Sequence, residues 1–142
     1  MSVIETELRA VVTRALAEDA VLSGCFGSPP RLYEQQRKRA VFPYLSWGRW
    51  DVRPRDGDAV ELVELRASLH VWAGEEDVVA LTGLLRAWVQ DLEPELPDPA
   101  RGRLITWDVP YSDVLRTRGF NARRGVVRVR ALVEIKTMES FS

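Results

Sequence analysis

The sequence predicts an α+β fold: a single antiparallel sheet of four to five strands with two helices packed on one face. Three observations predict it. Between residues 59 and 72, Val63, Leu65, Ala67, Leu69 and Val71 alternate with Glu64, Arg66, Ser68, His70 and Trp72, the period-two pattern of a half-buried strand. After Ala73-Gly74 the period changes, with Val78, Leu81, Leu85, Trp88 and Leu92 recurring at three- and four-residue steps, as in an amphipathic helix. Glu75, Glu76 and Asp77 stand where the helix dipole favours anions. A second alternating run, Val127, Val129, Ala131, Val133 and Ile135, closes the chain, and the short turns between strands favour antiparallel pairing.

The elements follow in order. Ser2 can cap a helix running to about Asp19, with Ile4, Leu8, Val11, Val12, Ala15 and Leu16 on its apolar stripe and Glu5, Arg9 and Arg14 left for solvent. Gly24, Gly27, Pro29 and Pro30 then read as a loop, and Leu32-Tyr33 as a short extended piece. A strand is expected from Tyr44 to Val52, and Trp47 and Trp50, three apart on it, are expected on opposite faces. Pro54, Asp56 and Gly57 supply the turn into the next strand, so a charged hairpin tip spans residues 53–58. Pro94, Pro97 and Pro99 stiffen the connection after the second helix. The strand at 104–115 is expected to show Ile105, Trp107, Val109 and Tyr111 on one face, and Pro110 implies an edge position or a bulge. Residues 116–125 read as a polar turn and 136–142 as a loose tail.

Composition narrows the function. A chain of 142 residues suits one domain and buries roughly two-thirds of its unfolded surface. A net charge of −1 speaks against a dedicated nucleic-acid binder. Cys25 is the only cysteine, which leaves no intramolecular disulfide. The first ten residues lack the apolar core of a signal peptide, and no apolar run approaches the ~20 residues of a bilayer span. No catalytic, cofactor-binding or metal constellation stands out. His70 is the only histidine, and no zinc or calcium spacing accompanies it. Ser23-Gly24-Cys25 is not set between a strand and a helix as a nucleophile elbow would be. Asp56, Asp58, Glu61 and Glu64 could serve hydrolysis together with His70, or be a solvated hairpin tip. Arg116, Arg118, Arg123 and Arg124, with Phe120 among them, could touch phosphate or acidic groups of a neighbouring subunit. With both helices on one face, the other face, carrying Arg66, His70, Trp72, Arg128, Arg130 and Leu132, is left without a covering layer and has interface composition.

Several local motifs in this order carry a resemblance: Leu22-Ser23-Gly24 ending the first helix, Arg31-Leu32-Tyr33, Phe42-Pro43-Tyr44-Leu45, Leu69-His70-Val71-Trp72 running into an acidic helix, and the closing 126–134 stretch. Together they resemble the tail completion, or tail terminator, proteins of long-tailed bacteriophages and gene transfer agents, over nearly the whole chain. The resemblance implies structural rather than enzymatic work, in one tail-terminator-like domain over 1–142. Its implied form is a homo-oligomer, a hexameric ring at the head-proximal end of the tail tube. Such a ring would stop polymerisation of the tail tube protein and meet the head-tail connector or stopper protein, with DNA only passing through and no membrane involved. Assembly would take place in the bacterial cytoplasm and the product would reside in the virion or virion-like particle. No cofactor is implied. The residues expected at subunit or partner contacts are Arg53, Arg55, Asp56, Arg66, His70, Trp72, Arg116, Arg118, Phe120, Arg123, Arg124 and Arg130.

Overall fold

In a computed structural model that describes residues 3–55, 61–115 and 122–135, the alternating and helical patterns become six strands and three helices. α1 (Val3–Glu18) buries Ile4, Leu8, Val12 and Leu16, one side chain per turn. Glu5, expected in solvent, is buried on the same helix beside Arg9 at 3.2 Å, and the Arg9 guanidinium in turn lies 4.9 Å above the Trp50 ring. Where the glycines and prolines predict only a loop, the chain makes a further helix, α2 (Ala20–Phe26). Asp19 caps it by accepting from the Leu22 N–H at 2.9 Å, and Leu22 and Phe26 are buried beneath it. Gly24 sits at an open position, so it weakens this helix without breaking it.

The six-stranded sheet runs β1 (Leu32–Tyr33), β2 (Tyr44–Trp47), β4 (Glu61–Ala73), β6 (Arg123–Ile135), β5 (Gly102–Leu115), with β3 (Asp51–Pro54) also on β4. It is mixed rather than wholly antiparallel, since β1 joins β2 in parallel. β4 and β6 pair without interruption over thirteen residues, from Glu61↔Ile135 to Ala73↔Arg123. Arg123 and Arg124 therefore belong to a strand and not to the preceding turn. The single strand predicted over 44–52 divides at Gly48, Arg49 and Trp50, where the chain crosses close over β4. The Gly48 N–H donates to the Ser68 carbonyl at 2.7 Å, and a Cβ on Gly48 would stand 2.6 Å from His70 Nε2. The break brings Trp50 back to the side of Trp47, the rings 5.1 Å apart, so the two indoles share the helix-covered face instead of lying on opposite ones.

All three helices cover one face of the sheet. α3 (Val78–Asp91) begins at the Asp77 cap, which accepts from the Ala80 N–H at 3.1 Å, so Glu75 and Glu76 precede the helix. It packs Val78, Leu85 and Val89 against Leu69, Val71, Val127 and Val129. Leu69 is 1% exposed at the middle of this cluster. Leu69→Ala is expected to lower the unfolding free energy by about 2–5 kcal/mol, read from the midpoint of a denaturant titration.

β5 is the edge strand that Pro110 implies, with register shifts between Leu104 and Thr106 and between Asp108 and Tyr111. These bulges overturn the expected four-residue face. Trp107 and Val109 point to the core, where the Trp107 Nε1–H donates to the Val89 carbonyl at 2.8 Å, whereas Tyr111 emerges on the other side of the sheet beside Arg128.

Candidate interaction surface

The second face of the sheet has two regions. At one end residues 33–44 fold over it, and Tyr33, Ala40, Tyr44 and Ala122 enclose Trp72, which is 4% exposed. The indole lies nearly parallel to Tyr44 at 6.1 Å and under the Arg124 guanidinium at 5.5 Å, and its Nε1–H donates to Ser46 Oγ at 2.9 Å. Trp72 is therefore a core residue of this end and not an exposed contact, and the face is not bare along its whole length.

His70 lies half-buried at the border, its ring 6.2 Å from that of Trp72. Burial pushes its pKa below the ordinary histidine value, and the charges of Arg124 and Arg128 push in the same direction. Protonation is thus less favourable in the folded chain than in the unfolded one. Stability from the neutral ring is complete above the unfolded pKa, about 6.5, and declines as pH falls through the window below it. Melting temperatures are expected to drop between pH 7.5 and 5, and less steeply for His70→Gln, in thermal scans of both proteins. No carboxylate accompanies His70 in these contacts, and Asp56 and Asp58 lie outside the described residues. Among the described residues no three His, Cys, Asp or Glu side chains gather as a metal site.

The other region is open and built from arginine. Directly paired residues on neighbouring strands share a face, so the registers place Asp51, Arg66, Arg130 and Asp108 in one row across β3, β4, β6 and β5. The next row holds Arg53, Glu64, Leu132 and Thr106, and the row on the other side Ser68, Arg128 and Tyr111. A groove of about 610 Å³ is lined by Asp51, Arg53, Arg66, Tyr111, Arg128 and Arg130, together with Arg49.

Carboxylates hold the guanidinium groups in place. Arg130 forks onto Asp108 through Nη2 at 2.8 Å and Nε at 3.3 Å. The Arg53 Nε–H donates to Asp51 at 2.7 Å. Glu64, whose side chain is 6% exposed, lies 3.4 Å from both Arg55 and Arg66 and 4.0 Å from Arg130. A buried carboxylate needs such partners, because an unpaired charge out of water is strongly disfavoured. The Arg128 guanidinium rests 4.8 Å over the Tyr111 ring. The guanidinium ends remain half in water, with 67% of the Arg53, 52% of the Arg66 and 40% of the Arg130 side chain exposed. They are fixed by one edge and available by the other.

Of the expected contact residues, the structure brings Arg53, Arg55, Arg66 and Arg130 together on this open region. His70, Trp72 and Arg124 sit toward the closed end, and Arg123 pairs with Ala73, on the helix-covered side of the ladder. Asp56, Arg116, Arg118 and Phe120 lie outside the described residues. The acidic pins Asp51 and Asp108, and Arg49, were not among the expected contacts. Alternation shows Arg128 on this face, but the pins follow only from strand register and the β5 bulges.

Fold and face together define a class: a small α+β domain with helices on one side of a mixed sheet and an open, charge-rich surface on the other. The family model described as Tail completion protein gp17 matches residues 10–134, and the chain belongs to this family. A chain of the virion of native gene transfer agent (GTA) particle shares the fold, with a TM-score of 0.77 and 21% identity over 94% of this chain and 99% of that one. Among curated proteins no sequence match was found.

Proposed function

We propose that this tail completion protein works as a ring-forming structural subunit of a phage or gene-transfer-agent tail. The ring caps the head-proximal end of the tail tube, ends tube polymerisation and joins the tail to the head connector. Membership of the tail completion family over residues 10–134 is the observation that carries this reading. The fold shared with a chain of a gene transfer agent virion, over nearly the full length of both, supports it. The open arginine region suits a role made of contacts, because its cations are oriented yet half solvated. The partners are further copies of the chain, the tail tube protein and the connector or stopper, with DNA passing through the opening.

The test is assembly. Native mass spectrometry of the purified chain should give a closed oligomer, six copies in this reading, either alone or on added tail tube. Electron microscopy of particles from cells lacking the gene should show headless tails of uncontrolled length. Normal, correctly joined particles in its absence would overturn the proposal.

A further inference from the structure

The chain carries an acidic counterpart to its own arginine region, on the opposite layer. After α3 the backbone becomes extended at Leu92, with φ −69° and ψ 134°, and runs through Pro94 and Pro97. Burial then alternates: Asp91, Glu93 and Glu95 are exposed, while Leu92 is half-buried and Pro94 and Leu96 are buried. Leu96 is anchored among Ile4, Leu8, Leu65, Ala131 and Val133, on the helix-covered side. Two prolines and a buried leucine thus hold the strip rigid with its carboxylates outward. Among the described residues none of these three carboxylates has an ion-pair partner, whereas the nearby Asp98 pairs with Arg101.

We infer that the acidic strip Asp91, Glu93 and Glu95 of one copy docks on the open arginine region of the next. The inference rests on the ring reading and gives it two surfaces. They lie on opposite layers of the subunit, so the contact is heterologous, the kind that propagates from copy to copy and can close into a ring. The charges are complementary. Arg49, Arg53, Arg55, Arg66, Arg128 and Arg130 are six cations against the four carboxylates Asp51, Glu64, Asp108 and Asp113, so the region keeps a surplus of two (six minus four), and the strip offers exposed anions to meet it. The repeats agree as well. Glu93 and Glu95, two residues apart on the extended chain beyond α3, are spaced by roughly 6.5–7 Å, the same step that separates successive rows along a strand, and Asp91 closes the helix beside them.

A DNA backbone fits less well. Four carboxylates stand among the region's six arginines and the chain as a whole carries a net charge of −1, whereas a duplex-binding domain carries a clear basic excess.

The test is charge reversal in the full-length chain, read by native mass spectrometry of ring formation and by the amount of chain in purified particles. Arg49→Glu with Arg128→Glu avoids the arginines that hold buried Glu64 and the Arg53–Asp51 pair, and Glu93→Arg with Glu95→Arg alters only exposed positions. Each pair is expected to leave the circular dichroism melt close to that of the wild type and to reduce ring formation and incorporation at least tenfold. Combining all four is expected to restore most of both. Wild-type behaviour of either pair, or failure of the combination to recover while its melt is unchanged, would overturn the pairing and leave the ring standing. A wild-type chain that stays monomeric both in solution and in particles would remove the ring itself and the pairing with it. If the arginine pair assembles normally and loses only retention of a short DNA duplex, the region is a DNA surface and the inference is wrong.

Discussion

Gly125→Ala is expected to be among the most damaging single substitutions in the chain, although it adds only one methyl group. Gly125 lies in β6 between Val71 of β4 and Val114 of β5, where α3 crosses the sheet. A Cβ there would stand 1.8 Å from Thr82 Oγ1, 2.9 Å from its Cβ and 3.1 Å from its Cγ2. Thr82 is 4% exposed and its hydroxyl donates to the Val78 carbonyl at 2.6 Å, so the side chain cannot swing into solvent. Nor can β6 bow away, because both of its edges are hydrogen-bonded. The helix must lift from the sheet, which opens space around Leu85 and Val89. Overpacking of this kind costs about 1–3 kcal/mol and can exceed that in a rigid setting, out of a total stability of ~5–15 kcal/mol. Here a loss of at least about 3 kcal/mol is expected in denaturant titrations. Adding Thr82→Ala should recover part of it, since the closest clash disappears while the Cβ contact at 2.9 Å persists.

Trp72→Ala is expected to cost ~3–5 kcal/mol as a large-to-small change in a closed site. Further loss comes from Ser46 Oγ, 2% exposed as a residue, which loses its donor, and from Arg124, which loses the ring beneath it. Any assembly defect of this variant should follow its stability, easing at lower temperature or with a stabilising osmolyte. Arg128→Ala, at an exposed position that does not touch Glu64, should show the reverse: a melt within a few degrees of the wild type and, in the ring proposed above, an assembly defect that no stabiliser corrects. Scanning calorimetry beside ring yield in native mass spectrometry separates the two behaviours.

Trp72 and Arg66 show what strand alternation can and cannot say of a side chain. Both were placed on the second face by alternation, and that placement is correct, because the side-chain period of a strand is a local property. Whether something lies above a given position is not local. The cover over Trp72 comes from residues 33–44, whose path depends on Tyr44 and Tyr33 packing back onto the sheet. β4, α3 and β6 were legible because their periods are long and uninterrupted. α2 was not, since its helical turns are held by the Asp19 cap and by burial of Leu22 and Phe26 against the strong local signal of glycine and proline. The joining of Trp50 to Trp47 and the emergence of Tyr111 beside Arg128 both depend on single irregular residues, each of which shifts the face of everything after it. The arginine groups of the candidate surface could be counted in the sequence, but the carboxylates that hold them are assigned only by register.

Irregularity in this sheet lies outside its central β4–β6 pair, and that has a mechanical consequence. β2 and β3 are split at 48–50 and β5 is bulged twice, whereas the β4–β6 pair keeps thirteen residues in register. A pull along the strand direction would shear that ladder, loading its rungs in parallel, so that none yields before many do. A pull across the sheet would reach first the two-residue β1 and would unzip one rung after another. The domain is built to be stiff along one axis and compliant across it, so the direction of an applied load decides whether it behaves as a strut or as a hinge.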